Sequence, residues 1–260
     1  MTACPPPLDE AAVVGRLRAA GCVFAEDEAR LLLDATDSAA GLETLVDRRV
    51  AGVPLEYLLG WAEFGGLRIA VDPGVFVPRR RTEFLAHQAV ALAGPHALVV
   101  DLCCGSGAVG AAVTAALPGA EVHAADVDPA AVACARRNLP GGQVHCGDLF
   151  DALPAALGGR VDVLVANVPY VPSEAIALMP PEARDHEPRV ALDGGSDGLD
   201  VARRVVAGVG AWLAPAGSVL FEVGEGQVSA ATDIVRVAGL APRIVTDDEL
   251  GATVVVGTLG

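Results

Sequence analysis

The chain has 260 residues, 52% of them hydrophobic, which is enough to bury the core of one large domain and a smaller one. Its 33 acidic residues outnumber 18 basic ones, all arginine, and the net charge of −15 disfavours extended DNA or RNA as a partner. No secretory signal is visible at the N-terminus, and no apolar run approaches the roughly 18 residues that cross a bilayer. Six cysteines without C-x-x-C pairing complete the pattern of a cytoplasmic globular protein with no membrane partner.

The first 59 residues contain only helical patterns. Short amphipathic helices are predicted over 8–20, 25–36 and 41–51, the first and last ending at glycines. Residues 1–59 are therefore expected to form a small helical domain, which is a candidate for binding a partner protein.

Residues 60–78 follow a different period. Short strands are predicted over 61–64, 67–71 and 75–77, separated by a Gly-Gly turn and an Asp-Pro-Gly turn. This β-hairpin or meander is expected to link the helical domain to the rest of the chain.

Residues 79–260 alternate between strands and helices. Seven strands are predicted over 97–102, 121–125, 143–146, 161–166, 218–223, 243–245 and 253–257. Helices are predicted over 108–116, 129–138, 199–213 and 227–238. The alternation implies an α/β domain with a doubly wound, mostly parallel seven-stranded sheet, whose ligand lies beyond the carboxyl ends of the strands.

A glycine loop follows the first of these strands. The segment VVDLCCGSGAVG, residues 99–110, places G-x-G-x-x-G at Gly105, Gly107 and Gly110, between a strand and a helix. Such a loop lets a ligand approach the backbone and the free N–H groups of the helix start. Asp126 ends the next strand and is placed to bind ribose hydroxyls. NAD and S-adenosylmethionine both fit these features.

Three further features favour S-adenosylmethionine over NAD. The carboxylate of Asp101, at the end of the first strand, would repel a pyrophosphate and attract an ammonium and a sulfonium. Asp148 follows the third strand and is placed to accept the adenine amino group, with Leu149 or Phe150 against the ring, although a helix N-cap explains Asp148 equally well. The third feature is the polar segment Asn-Val-Pro-Tyr, residues 167–170, which follows the fourth strand at the same edge of the sheet.

The predicted cofactor site contains no metal. Cys103 and Cys104 are interpreted as packing residues, because no ligand partner is spaced for a metal ion. The residues predicted to bind the cofactor are Asp101, Cys103, Cys104, Gly105, Ser106, Gly107, Asp126, Val127, Asp148, Leu149 and Asn167.

The segment Asn167, Val168, Pro169 and Tyr170 predicts chemistry on a planar NH2 group. The lone pair of such a nitrogen is delocalised, so a site must hold both N–H bonds to direct it at a methyl donor. The Asn167 side-chain oxygen and the Val168 carbonyl are two such acceptors, and their bonds strengthen as charge develops on the nitrogen. Pro169 stiffens the turn, and Tyr170 is able to stack on a planar group. In an isolated context, a plain turn would explain this tetrapeptide.

Several long motifs in order resemble the HemK/PrmC family of protein-(glutamine-N5) methyltransferases. They are GVPLEYLLGWAEFGGLRIAVDPGVFVPRRRTE, the cofactor motif, Asn-Val-Pro-Tyr, EPRVALDGGSDGLD and FEVGEGQ. The resemblance implies that residues 103–107, Asp126, Leu149 and Asn167 contact S-adenosylmethionine. It also implies that residues 167–170 hold a glutamine of a protein substrate, of the release factor or ribosomal protein class.

The sequence departs from the family pattern at a few positions. Val168 replaces the first proline of Asn-Pro-Pro-Tyr, but the carbonyl acceptor is a backbone atom. Cys103 and Cys104 replace Gly-Thr. Arg80 and Arg81 replace Pro-Glu, which indicates either a solvated loop or contact with an acidic partner surface.

Other functions remain open from the residues alone. An amino methyltransferase that acts on nucleic-acid bases or on a small molecule would use the same chemistry. A nicotinamide-dependent oxidoreductase would share the glycine loop. A non-catalytic binding module would bind the cofactor without transferring a methyl group. Near the pocket, Glu187 and Arg189 are expected to pair.

Overall fold

The computed structural model describes residues 9–260. Four N-terminal helices span Glu10–Ala19 (α1), Ala25–Asp34 (α2), Ala39–Val50 (α3) and Leu55–Leu59 (α4). Side chains of Asp9 and Ser38 cap α1 and α3 by accepting backbone N–H groups. These helices share a hydrophobic cluster of their own, formed by Val13, Leu17, Ala25, Ala29, Leu32, Leu42 and Val46. Leu8, the first residue of the first predicted helix, lies outside the described residues.

A two-stranded antiparallel hairpin follows, with β1 at Trp61–Phe64 and β2 at Leu67–Ala70. The third strand predicted over 75–77 is wrong. The Val75 N–H bonds to the Asp72 carbonyl in a turn, and the Val77 N–H donates to the Glu187 carboxylate at 3.2 Å. The backbone groups of this apolar segment are thus satisfied by a turn and a distant side chain instead of by a neighbouring strand.

The central sheet has seven strands in the order β5-β4-β3-β6-β7-β9-β8. Their bounds are Leu98–Leu102 (β3), Glu121–Asp126 (β4), Gln143–Cys146 (β5), Val161–Ala166 (β6), Leu213–Glu222 (β7), Ala241–Asp247 (β8) and Ala252–Thr258 (β9). Strands β3 to β7 are parallel, and β9 is antiparallel to both of its neighbours. The predicted α/β class and mostly parallel seven-stranded sheet are confirmed.

Helices cover both faces of this sheet. They span Thr82–Leu92 (α5), Ala108–Ala116 (α6), Pro129–Asn138 (α7), Pro181–His186 (α8), Arg189–Leu192 (α9), Asp200–Val209 (α10) and Val228–Val237 (α11). Alternate residues of β3 belong to two separate hydrophobic clusters: Val99 packs with α5, α6 and α7, whereas Val100 packs with α10 and α11.

The helix predicted over 199–213 is too long. It ends at Val209, and Leu213 already pairs with Val161 as the first residue of β7. A register shift follows within β7, where Ala216 has a φ of 63°. The bulge interrupts the alternation of side chains, so the start of this strand resembles a continuation of the helix in the sequence.

Within residues 9–260, no helix combines the length and apolar character needed to cross a membrane. Five cysteines in this part of the chain are free thiols, at positions 22, 103, 104, 134 and 146. Cys4 lies outside it.

Candidate active site

A cavity of about 320 Å³ lies at the carboxyl ends of β3, β4 and β6. This is the edge of a parallel sheet where ligands of doubly wound folds bind. Its walls include most of the residues predicted for the site, namely Asp101, Cys103, Cys104, Ser106, Asp126, Val127, Asp148, Leu149, Asn167, Val168, Pro169 and Tyr170. Gly105 and Gly107 belong to the loop that forms one wall. The structure therefore brings the whole predicted set together.

The glycine loop turns through left-handed backbone at three positions. Gly105 and Gly107 have φ values of 54° and 79°, and Cys103 has a φ of 55°. Glycine adopts this region without strain, whereas a cysteine there costs about 1–2 kcal/mol. Cys103 is thus more than a packing substitution, because it occupies a backbone position that favours glycine. A Cβ on Gly107 would lie 3.0 Å from the Ala135 side chain, so a larger residue there would crowd α7 in addition to straining the backbone.

Asp101 is fully buried at the end of β3. Its Oδ2 accepts the Gly110 N–H at 2.9 Å, but Oδ1 has no hydrogen-bond partner among the described residues. Burial raises the pKa of this carboxyl group to about 7. Since a buried unpaired oxygen is costly, Oδ1 on the cavity wall is a ready acceptor for a cationic ligand group.

Asp126 holds the glycine loop as well as facing the cavity. Its Oδ2 accepts the Gly105 N–H and its Oδ1 accepts the Asp128 N–H, both at 2.9 Å. Burial raises its pKa above the usual range. Each carboxylate oxygen has a second acceptor position, so binding to ribose hydroxyls is compatible with these bonds.

Asp148 occupies the N-cap position of a short 3₁₀ helix, Leu149–Ala152, as one interpretation expected. Its side chain makes no capping bond, however, and its Oδ2 accepts from the Arg204 guanidinium at 2.6 Å. The N-cap position is thus confirmed, while the carboxylate itself is used in an ion pair. Of the two candidates for contact with an adenine ring, Leu149 lies on the cavity wall, whereas Phe150 stacks on Trp212, with ring centroids 5.5 Å apart.

The segment 167–170 leaves β6 with two oxygen acceptors unengaged, one on Asn167 and one on Val168. Over residues 9–260, neither the Asn167 side-chain amide nor the Val168 carbonyl takes part in a hydrogen bond with the protein. Asn167 is half-buried and Val168 is buried, and both line the cavity. Two unengaged oxygen acceptors thus lie on adjacent residues, as the predicted grip on a planar NH2 requires.

Residues later in the chain contact the backbone of the segment 167–170 and support it. The sequence analysis did not identify this role. The Gln227 side-chain amide donates to the Tyr170 carbonyl and to the Asp197 carbonyl, each at 2.9 Å. Gly194 lies so close that an added Cβ would be 2.6 Å from the Pro169 carbonyl oxygen. The motifs EPRVALDGGSDGLD and FEVGEGQ, which resemble the HemK/PrmC pattern, contain these residues and were the sequence signal for them. The motifs do not indicate which atoms are in contact.

The expected pairing of Glu187 with Arg189 is wrong. Glu187 is bound by Arg79, whose Nη2 lies 2.5 Å from Oε2, and Arg189 pairs with Asp193 at 2.9 Å instead. Helix geometry explains the difference, because Arg189 and Asp193 are four residues apart and face each other across one turn.

Comparison with known proteins identifies the class. The family model "Methyltransferase small domain" matches residues 66–179. A methyltransferase structure from Pyrococcus furiosus aligns with a TM-score of 0.58 at 16% identity, over 82% of this chain and 97% of that one. A ribosomal protein L11 methylase from Lactobacillus delbrueckii aligns with a TM-score of 0.52 at 17% identity, over 73% and 83% of the two chains. The fold is that of the class I, Rossmann-like methyltransferases.

Sequence relatives narrow this class to a family. A release factor glutamine methyltransferase from Geobacter sulfurreducens is 37% identical, over 84% of this chain and 77% of its own. One from Deinococcus radiodurans is 35% identical, over 89% and 90%. The chain belongs to the family of release factor glutamine methyltransferases. It is an enzyme, and its methyl donor is S-adenosylmethionine.

Proposed function

We propose that this enzyme methylates the side-chain amide nitrogen of a glutamine in a peptide chain release factor. The observation that carries the proposal is the pair of unengaged acceptors, the Asn167 amide oxygen and the Val168 carbonyl, on the wall of the cavity. The names of the relatives support the release factor as the substrate.

The two acceptors would each take one N–H of the glutamine amide. With both N–H bonds held, the amide plane would be fixed, and the nitrogen lone pair, which lies perpendicular to that plane, would be directed at the methyl donor. As positive charge develops on the nitrogen, both hydrogen bonds strengthen, so they stabilise the transition state more than the bound substrate. Alignment of this kind contributes roughly 7–11 kcal/mol in favourable cases, and no general base is needed before the transfer.

The cofactor fits the residues present. S-adenosylmethionine supplies a methyl group activated by its sulfonium. The unpartnered Asp101 Oδ1 would accept its ammonium, Asp126 would bind the ribose hydroxyls, and Leu149 would contact the adenine ring. Asp148 would reach the adenine amino group through the oxygen that Arg204 does not occupy.

We also propose that residues 1–59 form a domain that helps to bind the release factor, with 60–78 as the linker and 79–260 as the catalytic domain. The separate hydrophobic cluster of α1, α2 and α3 supports the N-terminal domain, whereas the apolar residues of 60–78 pack in the same cluster as α5, α6 and α7. Free thiols at positions 22, 103, 104, 134 and 146 support action in the reducing cytoplasm.

The test is a methylation assay with purified components. Enzyme and labelled S-adenosylmethionine are incubated with a release factor, with the same factor carrying asparagine for its candidate glutamine, and with RNA, duplex DNA or a small-molecule extract at low salt. Mass spectrometry then locates the methyl group. We expect label on one glutamine of the factor alone. Label that appears in a nucleic acid or a small molecule, and not in the factor, would overturn the proposal.

A further inference from the structure

Three elements meet beside the segment 167–170, called the acceptor segment below, through charged and aromatic side chains. Arg81 and Thr82 lie at the start of α5, Tyr170 ends the acceptor segment, and Glu222 ends β7. Arg81 and Tyr170 both line the cavity. These four residues are called the Arg81 cluster below.

Glu222 is the buried anchor of the Arg81 cluster. Its side chain is 3% exposed, and a carboxylate at that depth requires a cation and hydrogen bonds. Arg81 Nε lies 2.8 Å from Oε1, and the Thr82 hydroxyl donates to Oε2 at 2.9 Å. The Tyr170 hydroxyl also donates to Oε1, at 2.9 Å. Glu222 therefore fixes Arg81 and Tyr170 relative to each other.

Arg81 contacts Tyr170 in two ways. Its guanidinium lies over the ring, 5.2 Å from the centroid, and its Nη2 donates to the tyrosine hydroxyl. Since the Tyr170 carbonyl is held by Gln227, the residue is fixed at its backbone and at the tip of its ring. A planar forked cation is able to stack and to donate at the same time, which a lysine ammonium is not.

We propose that Arg81 is a positioning residue for the acceptor amide, because it locks the Tyr170 ring against which the planar amide lies, using Glu222 as its buried counter-charge. The proposal rests on the proposed function for the identity of that amide. The sequence offered one pair of interpretations for Arg80 and Arg81 together, a solvated loop or contact with an acidic partner surface. The proposal separates the two arginines. Arg81 acts inside the site, although the HemK/PrmC pattern has an acidic residue at this position.

Arg80 provides the matched control. It is the adjacent arginine, it is exposed, and it neither lines the cavity nor forms an ion pair with any of residues 9–260. Removing its charge changes the net charge of the loop as much as removing that of Arg81. A difference between the two variants thus reports the contacts of Arg81 and not the local electrostatic field.

The first experiment compares Arg81→Ala, Arg81→Lys and Arg80→Ala in steady-state methylation of the release factor, with calorimetric binding of S-adenosylhomocysteine as the check on the fold and the cofactor site. We expect Arg81→Ala to lower kcat/KM roughly tenfold to a hundredfold, as expected for a misplaced reactant. The dissociation constant of S-adenosylhomocysteine should stay within about twofold in every variant.

Arg81→Lys separates charge from geometry. Lysine restores a cation for Glu222, so the melting temperature of Arg81→Lys should be close to that of the wild type. Its kcat/KM should remain low, because the flat contact of the guanidinium with the Tyr170 ring is lost. Full rescue by lysine, or equal losses in Arg81→Ala and Arg80→Ala, would overturn the positioning role. If Arg81→Ala does not fold, the lysine variant carries the test.

A second measurement does not depend on methylation. The chain has only two tyrosines, Tyr57 and Tyr170, so ring-labelled tyrosine gives two sets of NMR signals, and their loss in Tyr170→Phe assigns those of Tyr170. Arg81→Ala should shift the Tyr170 signal and narrow it as the ring gains freedom, and Arg80→Ala should leave it unchanged. An unresponsive Tyr170 signal contradicts the proposal. If the release factor is not methylated but this signal responds, the proposed substrate fails while the lock on Tyr170 stands.

Discussion

At the scale of single residues, the Asn167 amide oxygen is the one of the two proposed acceptors that a substitution is able to remove. Asn167→Ala removes one of the two acceptors while leaving the cavity wall otherwise intact. By analogy with the loss of one oxyanion-hole donor, transition-state stabilisation should fall by about 2.7–4 kcal/mol, whereas cofactor affinity should change little. Single-turnover methylation and S-adenosylhomocysteine calorimetry measure the two effects.

Asn167→Asp is the companion variant, because it retains an oxygen at the acceptor position. It should lose less activity than the alanine variant. Unchanged turnover in Asn167→Ala would remove this residue from the chemistry, and a parallel loss of cofactor affinity would reassign it to the cofactor.

Asp101 should make cofactor binding depend on pH. Its raised pKa of about 7 means that much of the free enzyme carries a neutral carboxyl group at and below pH 7. A ligand ammonium favours the ionised form, so binding must release that proton and affinity should rise as the pH increases toward 7 and beyond. Below pH 7, the affinity for the ligand should rise by at most about tenfold for each pH unit.

The measurement is S-adenosylhomocysteine affinity between pH 5.5 and 8.5 (about the range that brackets this pKa). Asp101→Asn removes the carboxyl titration but leaves that of the ligand amino group, so it should bind more weakly and with a flatter profile. Identical pH profiles in the two proteins would show that Asp101 does not ionise on binding.

At the scale of elements, the loop around Gly194 packs closely against the acceptor segment and so limits where that segment can lie. Gly194→Ala would place a Cβ 2.6 Å from the carbonyl oxygens of Pro169 and Gly198, so one of the two segments must move. We expect turnover to fall at least tenfold with cofactor affinity retained, since a displacement near 1 Å has a cost of that order or larger.

Gly210→Ala is the control for this change. Gly210 also has a negative φ, and an added Cβ there would meet nothing within 4 Å. It should behave like the wild type in methylation and in thermal unfolding. If Gly194→Ala also does so, the contact between the two segments has no role in turnover.

The elements that the sequence predicted well are those with a strong local pattern. Strand β6, Val161–Ala166, matches its prediction at both ends, because it is an apolar run with a polar start and a turn after it. The segment 75–77 has the same local character, but the Val77 N–H donates to Glu187, which is distant in the sequence, instead of to a neighbouring strand. A local pattern contains no information about such partners.

The same limit applies to the site. The sequence identified the residues that lie directly after strands, since topology alone gathers the carboxyl ends of parallel strands at one edge. It did not identify Glu222 or Gln227 as support for Tyr170, because these contacts join β7 and the following turn to a loop about fifty residues earlier. Side-chain partners of that kind depend on the packed structure.

At the scale of the whole molecule, Arg49 connects the N-terminal helices to the part of the chain that contains the central sheet. Arg49 on α3 has a side chain only 7% exposed, and its Nε lies 2.6 Å from Glu28 on α2. Its Nη1 lies 2.5 Å from Glu182 on α8, which belongs to the segment between β6 and β7. A single buried guanidinium thus joins two helices of the N-terminal cluster to a helix near the acceptor segment.

Arg49→Ala should therefore destabilise the molecule without altering cofactor binding. Removing one partner of a buried ion pair leaves Glu28, which is 12% exposed, without its counter-charge, and the expected loss is about 3 kcal/mol in the free energy of unfolding. Arg48→Ala removes the exposed neighbouring arginine and should change that free energy by no more than about 0.5 kcal/mol. Urea unfolding gives both values, with S-adenosylhomocysteine calorimetry as the check on the cavity, which Arg49 does not line. Equal midpoints and slopes for the two variants would show that the ion pairs of Arg49 contribute nothing to the free energy of unfolding, and hence nothing to holding the N-terminal helices against the rest of the chain.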